Sequence, residues 1–369
     1  MTYIFLLSGD YIDLGKEEAL SLFDIKDSRL LNNLLIAELG NEKLNKTPQR
    51  LALTKYIYKF LFESKIDDLI RIMKDFDWNS VYKGDFCVRV NYLDNSEYNN
   101  KKSINEVSNK KLHIKIKKQF EEKQLASYIW HKLSKPKVNL ENPKTLIELF
   151  FYKNKVYCGL LIYENKENFE SRKSHLRPFP HPSSLNPKVA RALVNISGIK
   201  ENDVLLDPFC GTGGFLIEAG LMSIKIIGCD ISKMMVKGCI KNLKHFHIKN
   251  YKIIGKNALQ ISEKFDYVVT DLPYGLNSNV YLEYNKKSIN EKFNKINLKI
   301  NKKNAIKNLE QFYLKFLKKL RKILKKKAVI IFPSYVNYKK LLQKSKFKIE
   351  KEFEIYVHRS LTRKIVKTS

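Results

Sequence analysis

From residue 188 onward, apolar runs too continuous for a one-sided strand alternate with helix-patterned stretches: "KVARALVNIS", "DVLLD", "GGFLIEAGLM", "IKIIGCD", "SKMMVKGCIKNLKHF", "YKIIG" and "FDYVVTD". A strand apolar on both faces must be covered on both, and the regular insertion of helices between such strands predicts a mainly parallel sheet with helices on each side. Ser232 stands where the third helix needs a cap. Further on, "LEQFYLKFLKKLRKIL" sets Leu309, Phe312, Tyr313, Phe316, Leu317, Leu320, Ile323 and Leu324 at helical spacing, which predicts a core-facing helix. "AVIIFPS" then adds a strand, and "KFKIEKEFEIYVHRSL" with "TRKIVK" reads as a closing hairpin.

The first half is written differently. "YIFLLSG" and "GKEEALSLFDI" read as a strand and a helix, while "RLLNNLLIAEL" and "QRLALTKYIYKFLF" read as a mix of short strands and amphipathic helices. "FEEKQLASYIWHKL" is helical text, and "TLIELFFYKNKVYCGLLIY" a β-hairpin turning at Lys153 to Lys155, so this part is α+β. Four of the ten prolines fall in "RPFPHPSSLNP", which forbids regular structure and places a domain boundary just before it, near Ser171. Two Lys/Asn-rich stretches, 95–111 and 276–308, lack a period and are expected to be loops.

Charge narrows the choice of partner. Lys and Arg number 69 against 38 Asp and Glu, a formal net charge of +31 with a pI near 9.7. Part of this is a general inflation of Lys, Asn and Ile; the rest favours a polyanion, nucleic acid first. Asp207, Glu218, Lys225 and Asp230 interrupt the longest apolar stretch, which excludes a membrane span. The N-terminus lacks the basic segment and cleavage site of a signal peptide, and the five cysteines show no CxxC spacing. A cytoplasmic, reduced protein is expected.

Three motifs fall at strand ends, where open parallel sheets bind ligands. In "DPFCGTGG", Asp207 ends a strand and Gly211, Gly213 and Gly214 allow a tight turn with close approach of a ligand to the backbone. Asp230 ends the next strand, 23 residues later, the distance at which an acid accepts hydrogen bonds from ribose hydroxyls. A nicotinamide dinucleotide and S-adenosylmethionine both suit that pair, although GTGG lacks the third spaced glycine of a pyrophosphate loop. "TDLPYG" ends the fourth strand. An exocyclic base amine is a poor nucleophile, because its lone pair is delocalised into the ring. Asp271 and the Leu272 carbonyl can accept from its two N–H groups as its geometry changes, and Tyr274 can stack on the base. His175, His181 and Cys210 show no familiar metal-ligand spacing, so no metal is expected.

"DPFCGTGGFLIEAG", "GCDISKMMVKGCIKNL", "TDLPYG" and the terminal "HRSLTR" together resemble the class I amino-methyltransferases of tRNA guanine N2. With "NLENPKTLIELFFYKNKVYCGL" and "RPFPHPSSLNPKVARALVN", the chain is similar to the archaeal tRNA (guanine-10) N2-dimethyltransferases. The resemblance implies a ferredoxin-like region over 1–50, a THUMP RNA-binding domain over 51–165, a linker over 166–182 and a Rossmann-like, seven-stranded methyltransferase domain over 183–369. It implies S-adenosylmethionine as methyl donor and tRNA as substrate, gripped by the THUMP domain, with no protein partner needed for activity. Asp207, Phe209, Cys210, Gly211, Thr212, Gly213 and Gly214 would hold the methionine part, Asp230 the ribose and Ile231 the adenine face. Asn257 and Ala258 match a motif usually written with an acid before Ala; Asn257 can still bond the adenine amine. Asp271, Leu272, Pro273 and Tyr274 match the catalytic tetrad, with Leu272 in place of the commoner Pro, and Asp271 would border the methyl donor as well. On residues alone guanine N2 at another tRNA position, adenine N6 of another nucleic acid, and an RNA-binding module dependent on a partner subunit stay open.

Overall fold

The computed structural model describes all residues but 41–43, 46, 94–119, 183 and 276–294, and for 295–303 the backbone only. The chain divides into two compact units: Met1–Ile12, Phe23–Gln49 and Thr54–Lys166 form one; Asp13–Leu22, Arg50–Leu53 and Glu167–Ser369 form the other. The stretch 95–111 read as a loop lies outside the described residues.

Seven strands make the sheet of the first unit: β1 (Thr2–Leu7), β2 (Ser28–Leu31), β3 (Leu34–Glu38), β4 (Thr54–Lys65), β5 (Phe86–Tyr92), β6 (Thr145–Tyr152) and β7 (Lys155–Glu164), in the order β2-β3-β1-β4-β7-β6-β5. Only β5 and β6 run parallel. Where the sequence suggested short strands mixed with helices, β4 is one strand of 12 residues. Tyr56, Tyr58, Phe60 and Phe62 recur along it at period two, a rhythm that suits a pleated surface and not a helix. Helices α2 (Leu69–Asp75) and α3 (Glu122–Trp130) belong to this unit, whereas α1 (Ile12–Phe23) belongs, apart from its two end residues, to the second. Trp78, wholly buried, packs with Phe76 and Phe62 and donates its indole N–H to the Met73 carbonyl at 2.7 Å.

The second unit is the doubly wound sheet. Its strands are β8 (Val204–Asp207), β9 (Lys225–Asp230), β10 (Tyr251–Gly255), β11 (Phe265–Asp271), β12 (Leu324–Pro333), β13 (Ile349–His358) and β14 (Leu361–Thr368). Their order is β10-β9-β8-β11-β12-β14-β13, parallel except for β14, which runs antiparallel to both neighbours. Helices α4 (Pro187–Ile196), α5 (Gly214–Leu221), α6 (Lys233–His245), α7 (Lys295–Ile323) and α8 (Tyr338–Lys344) connect them. One apolar cluster gathers α4, α5 and α6 on one face, and another gathers α7 and α8 on the other. The chain leaves β10 at one edge and crosses to β11 beside β8, so the strand order reverses between β8 and β11. Such a reversal is where open parallel sheets take their ligands, beyond the carboxyl ends of the strands.

Ser232 caps α6 as expected, accepting from the Met235 amide. The loop expected over 276–308 is corrected in part: residues 276–294 lie outside the described residues, but the backbone is helical from Lys295. Ala305 and Leu309, four apart, are both buried, so the apolar stripe of α7 extends upstream through a small residue that a search for large ones passes over. Among the described residues no helix is long and apolar enough to cross a membrane.

A buried carboxylate fastens the N-terminal segments of this unit. Glu18, fully enclosed, accepts from the amides of Ala52 (2.9 Å) and Leu53 (2.8 Å) and from the Asn195 side chain of α4 (2.7 Å). Burial pushes its carboxyl up to about 7, against the pull of these donors. The raised value means the folded state keeps a proton that the unfolded chain releases above the ordinary 4.5. Its contribution to stability is therefore full in acid and lost as pH rises toward 7. Glu18→Ala, which strands three buried donors, is expected to cost about 3 kcal/mol. Glu18→Gln should cost less and flatten the fall in Tm over the same pH range, both read by thermal denaturation.

Candidate active site

Asp207, Asp230 and Asp271 are the last residues of β8, β9 and β11, so the sheet itself brings three carboxylates to one edge. Asp207 is buried, and its Oδ1 accepts from the Thr270 hydroxyl at 2.7 Å and the Phe209 amide at 3.2 Å. It thereby ties β8 to β11. Burial pushes its carboxyl up to about 7, and the negative charges of Asp230 and Asp271 add to the rise. Asp230 accepts from the Gly211 amide through Oδ2 and the Ser232 amide through Oδ1, both at 2.9 Å. Burial raises its pKa too, although these amides and His181 pull it down. Each oxygen keeps a second lone pair for a ligand.

Between the first two acids the loop folds tightly. Gly213 has φ of 89°, and a Cβ there would stand 2.9 Å from the Cys239 sulfur, so only glycine fits. Beside Gly211 a Cβ would meet nothing within 4 Å: the crest of the loop borders open space. Cys210 is buried, its free thiol hydrogen-bonded to that of Cys239, and Thr212 turns inward to the Ser184 hydroxyl at 3.2 Å. Phe209 points away from the loop crest, edge-on to Phe316 and Phe312 of α7. Ile231, next to Asp230, is 47% exposed, a large apolar side chain held in solvent beside the acid. Asn257 caps a short 3-10 turn through Leu259, with Ala258 buried behind it.

The turn after β11 is fixed from several sides. The Leu272 amide donates to the Ile331 carbonyl and its side chain is buried in the α7 cluster, so an aliphatic residue fits this position. The Pro273 carbonyl accepts from the Tyr313 hydroxyl at 2.7 Å, and the Tyr274 carbonyl from the Tyr335 hydroxyl at 2.6 Å. Tyr274 donates its own hydroxyl to Asp271 Oδ1 at 2.7 Å and accepts from Arg363 Nε at 2.9 Å. Arg363 Nη2 lies 3.7 Å from Asp271 Oδ2. Burial pushes the Asp271 carboxyl up to about 6, while Arg363 and the Tyr274 hydroxyl hold it from going higher. The ring plane of Tyr274 and the orientation of Asp271 are thus set before any ligand arrives.

Reading the sequence assigned no role to Arg363, although it lies within "HRSLTR". The proline-rich segment, which follows the expected domain boundary, packs against the glycine loop. Phe179 exchanges backbone hydrogen bonds with the Asn242 side chain, which also donates to the Thr212 carbonyl at 3.0 Å. A Cβ on Gly238 of α6 would lie 2.4 Å from the Phe179 ring. Among the described residues no group of three His, Cys, Asp or Glu side chains is arranged to hold a metal ion.

Residues 174–281 match the RMKL-like methyltransferase domain, and residues 63–161 match the THUMP domain. The chain is 32% identical over 322 residues to the tRNA (guanine(10)-N2)-dimethyltransferase of Methanothermobacter thermautotrophicus, a match spanning 86% of this chain and 82% of that protein. It is 28% identical over 371 residues to the enzyme of the same name from Pyrococcus abyssi, with 98% of each chain covered. Among solved structures, TrmN from Thermus thermophilus aligns with a TM-score of 0.51 at 13% identity, covering 100% of this chain and 99% of that one, a likeness of fold.

Proposed function

This chain belongs to the tRNA (guanine(10)-N2)-dimethyltransferase family, and on that premise we propose that it methylates the exocyclic N2 of guanosine 10 in tRNA, once and then again. The observation that carries the reading is the Asp271–Tyr274–Arg363 network at the end of β11, on the same sheet edge as Asp207 and Asp230.

The site suits S-adenosylmethionine, which when bound supplies an electrophilic methyl group on a cationic sulfonium. Three carboxylates with raised pKa values at one edge favour a cationic ligand. The open space over Gly211 leaves room for it against the backbone. Asp230 faces the ribose, Ile231 and Asn257 the adenine, and Asp207 the α-ammonium. For the acceptor, Asp271 and the Leu272 carbonyl orient the amine of a guanine turned out of its stack, Tyr274 supports the ring, and Asp271 takes the proton that the nitrogen loses. The THUMP-matching unit holds the tRNA, and the chain acts without a protein partner.

Asp207 carries a pH consequence. Its carboxyl, near 7, must be ionised to meet a cation, so binding below 7 expels a proton. Affinity for S-adenosylhomocysteine, which keeps the ammonium, is expected to fall about tenfold between pH 8 and pH 6. Calorimetry in buffers of different ionisation enthalpy should show the released proton; an affinity flat across this range would remove Asp207 from the ammonium site.

The reading as a whole is tested with the purified chain, labelled donor and a tRNA transcript digested to nucleosides. N2-methylguanosine followed by N2,N2-dimethylguanosine is expected. N6-methyladenosine as the labelled product would contradict the assignment, and label appearing only after adding a cell extract would contradict independence from a partner.

A further inference from the structure

Arg177, in the proline-rich segment, is 3% exposed. Its Nε donates to the Arg172 carbonyl at 2.9 Å, while Nη1 and Nη2 are enclosed with no hydrogen-bond partner among the described residues. It is the surplus cation of a buried cluster. Arg172 pairs with Glu218 at 2.8 Å and with Glu167 at 2.8 Å. Arg191 reaches the same two carboxylates at 2.9 and 3.4 Å. Two acids thus neutralise two guanidiniums that both lie against the Phe169 ring. The third guanidinium has a field from Glu218 but no ion pair with it. Buried charges are kept where a counter-charge meets them.

The direction in which Arg177 points identifies that counter-charge. Nη1 lies 4.0 Å from where a Cβ on Gly214 would stand. Gly214 is the first residue of α5, and the Ile217 amide already donates to Gly213. The amides of Gly214, Phe215 and Leu216 therefore precede the helical ladder and form the positive end of the helix. An anion placed here would meet a guanidinium and a helix terminus together, at the far end of the loop that begins with Asp207.

We propose that Arg177 and the N-terminus of α5 form the subsite for the α-carboxylate of the methyl donor. The inference rests on the donor assignment made above and adds to it the residue that selects the intact amino-acid end. Asp207 and Arg177 then recognise opposite charges of one zwitterion, and ligands lacking the carboxylate are disfavoured because the buried guanidinium stays unpaired.

The test compares two ligands by calorimetry: S-adenosylhomocysteine and its decarboxylated form, 5′-deoxy-5′-(3-aminopropylthio)adenosine. Wild-type protein is expected to prefer the carboxylate-bearing ligand by about 10- to 100-fold, the range of a charge-assisted pair. Arg177→Met should bind both about equally, with its affinity for the decarboxylated ligand close to that of wild type, and Arg177→Lys should recover part of the preference. Equal binding of the two ligands by wild type, or an undiminished preference in Arg177→Met, would overturn the subsite. The wild-type comparison decides even if the methionine variant does not fold. Wild-type protein that bound neither ligand would instead overturn the donor assignment itself.

Discussion

Asp271→Asn is expected to slow methyl transfer by about 10²- to 10⁴-fold, the range for losing a positioned proton acceptor, while S-adenosylhomocysteine, held mainly by Asp207 and Asp230, still binds. Asparagine keeps the shape and can still accept from the Tyr274 hydroxyl, so the turn should hold its conformation. It cannot take the amine's proton, and its carbamoyl oxygen attracts the developing positive charge on N2 far less than a carboxylate does. Single-turnover rates with saturating donor and tRNA isolate this loss from binding. A variant within about threefold of wild type in that assay would remove Asp271 from the chemistry.

The second large effect is expected at Arg363. Among the described residues the groups whose charge or hydrogen bonding reaches Asp271 are Arg363 from β14, the Tyr274 hydroxyl, Tyr313 from α7 and Asp207 from β8. Only Arg363 is cationic. Without it the Asp271 carboxyl, now near 6, moves further up, since the guanidinium is the largest influence holding it down. The rate depends on the ionised carboxylate, so wild type should lose activity as pH falls through about 6. In Arg363→Met that acid limb should move to higher pH. At pH 7 the rate should drop about 100-fold, consistent with breaking a partly buried charge pair, and part of the loss should return toward pH 9. Arg363→Lys should lie between the two. A drop of equal size at every pH would show that Arg363 only supports the fold of the turn.

Arg363 also illustrates what reading residues in order can and cannot supply. The strands of the second unit were legible because burial on both faces leaves unbroken apolar runs, and the acids could be placed because each follows such a run directly. Asp207, Asp230 and Asp271 needed no tertiary knowledge. Arg363 comes to Asp271 through two pairings of the sheet: Asp271 stands opposite Ile331 on β12, and Ile331 opposite Ile365 on β14. Because β14 runs the other way, Arg363 lands two residues beyond that level, over the turn. The register of an antiparallel strand 92 residues downstream leaves no local pattern. Arg177 was hidden for a related reason. A proline-rich stretch reads as irregular, which it is, but irregular backbone also packs, and Phe179 fits against α6 only because residue 238 is glycine. The upstream part of α7 was concealed because Ala305, its one buried position before Leu309 among the described residues, is small and stands among lysines and asparagines. In the first unit the period-two rhythm of β4 is masked because Ile57 and Leu61 stand between its aromatics, so the run reads as largely apolar.

Which nucleotide and which atom take the methyl groups is read by fragment mass spectrometry of the modified RNA together with nucleoside analysis of the modified fragment. A tRNA transcript is incubated with the purified chain and S-adenosylmethionine beside a second transcript in which adenosine replaces guanosine 10, and both are cut with a base-specific ribonuclease. The fragment containing position 10 of the first should gain 14 and then 28 mass units on guanine N2, as one and two methyl groups require, and the second should gain none (the increments are about 14 per replaced hydrogen). Equal methylation of the two transcripts, or a gain confined to a fragment without position 10, would rule out guanosine 10 as the methylated nucleotide.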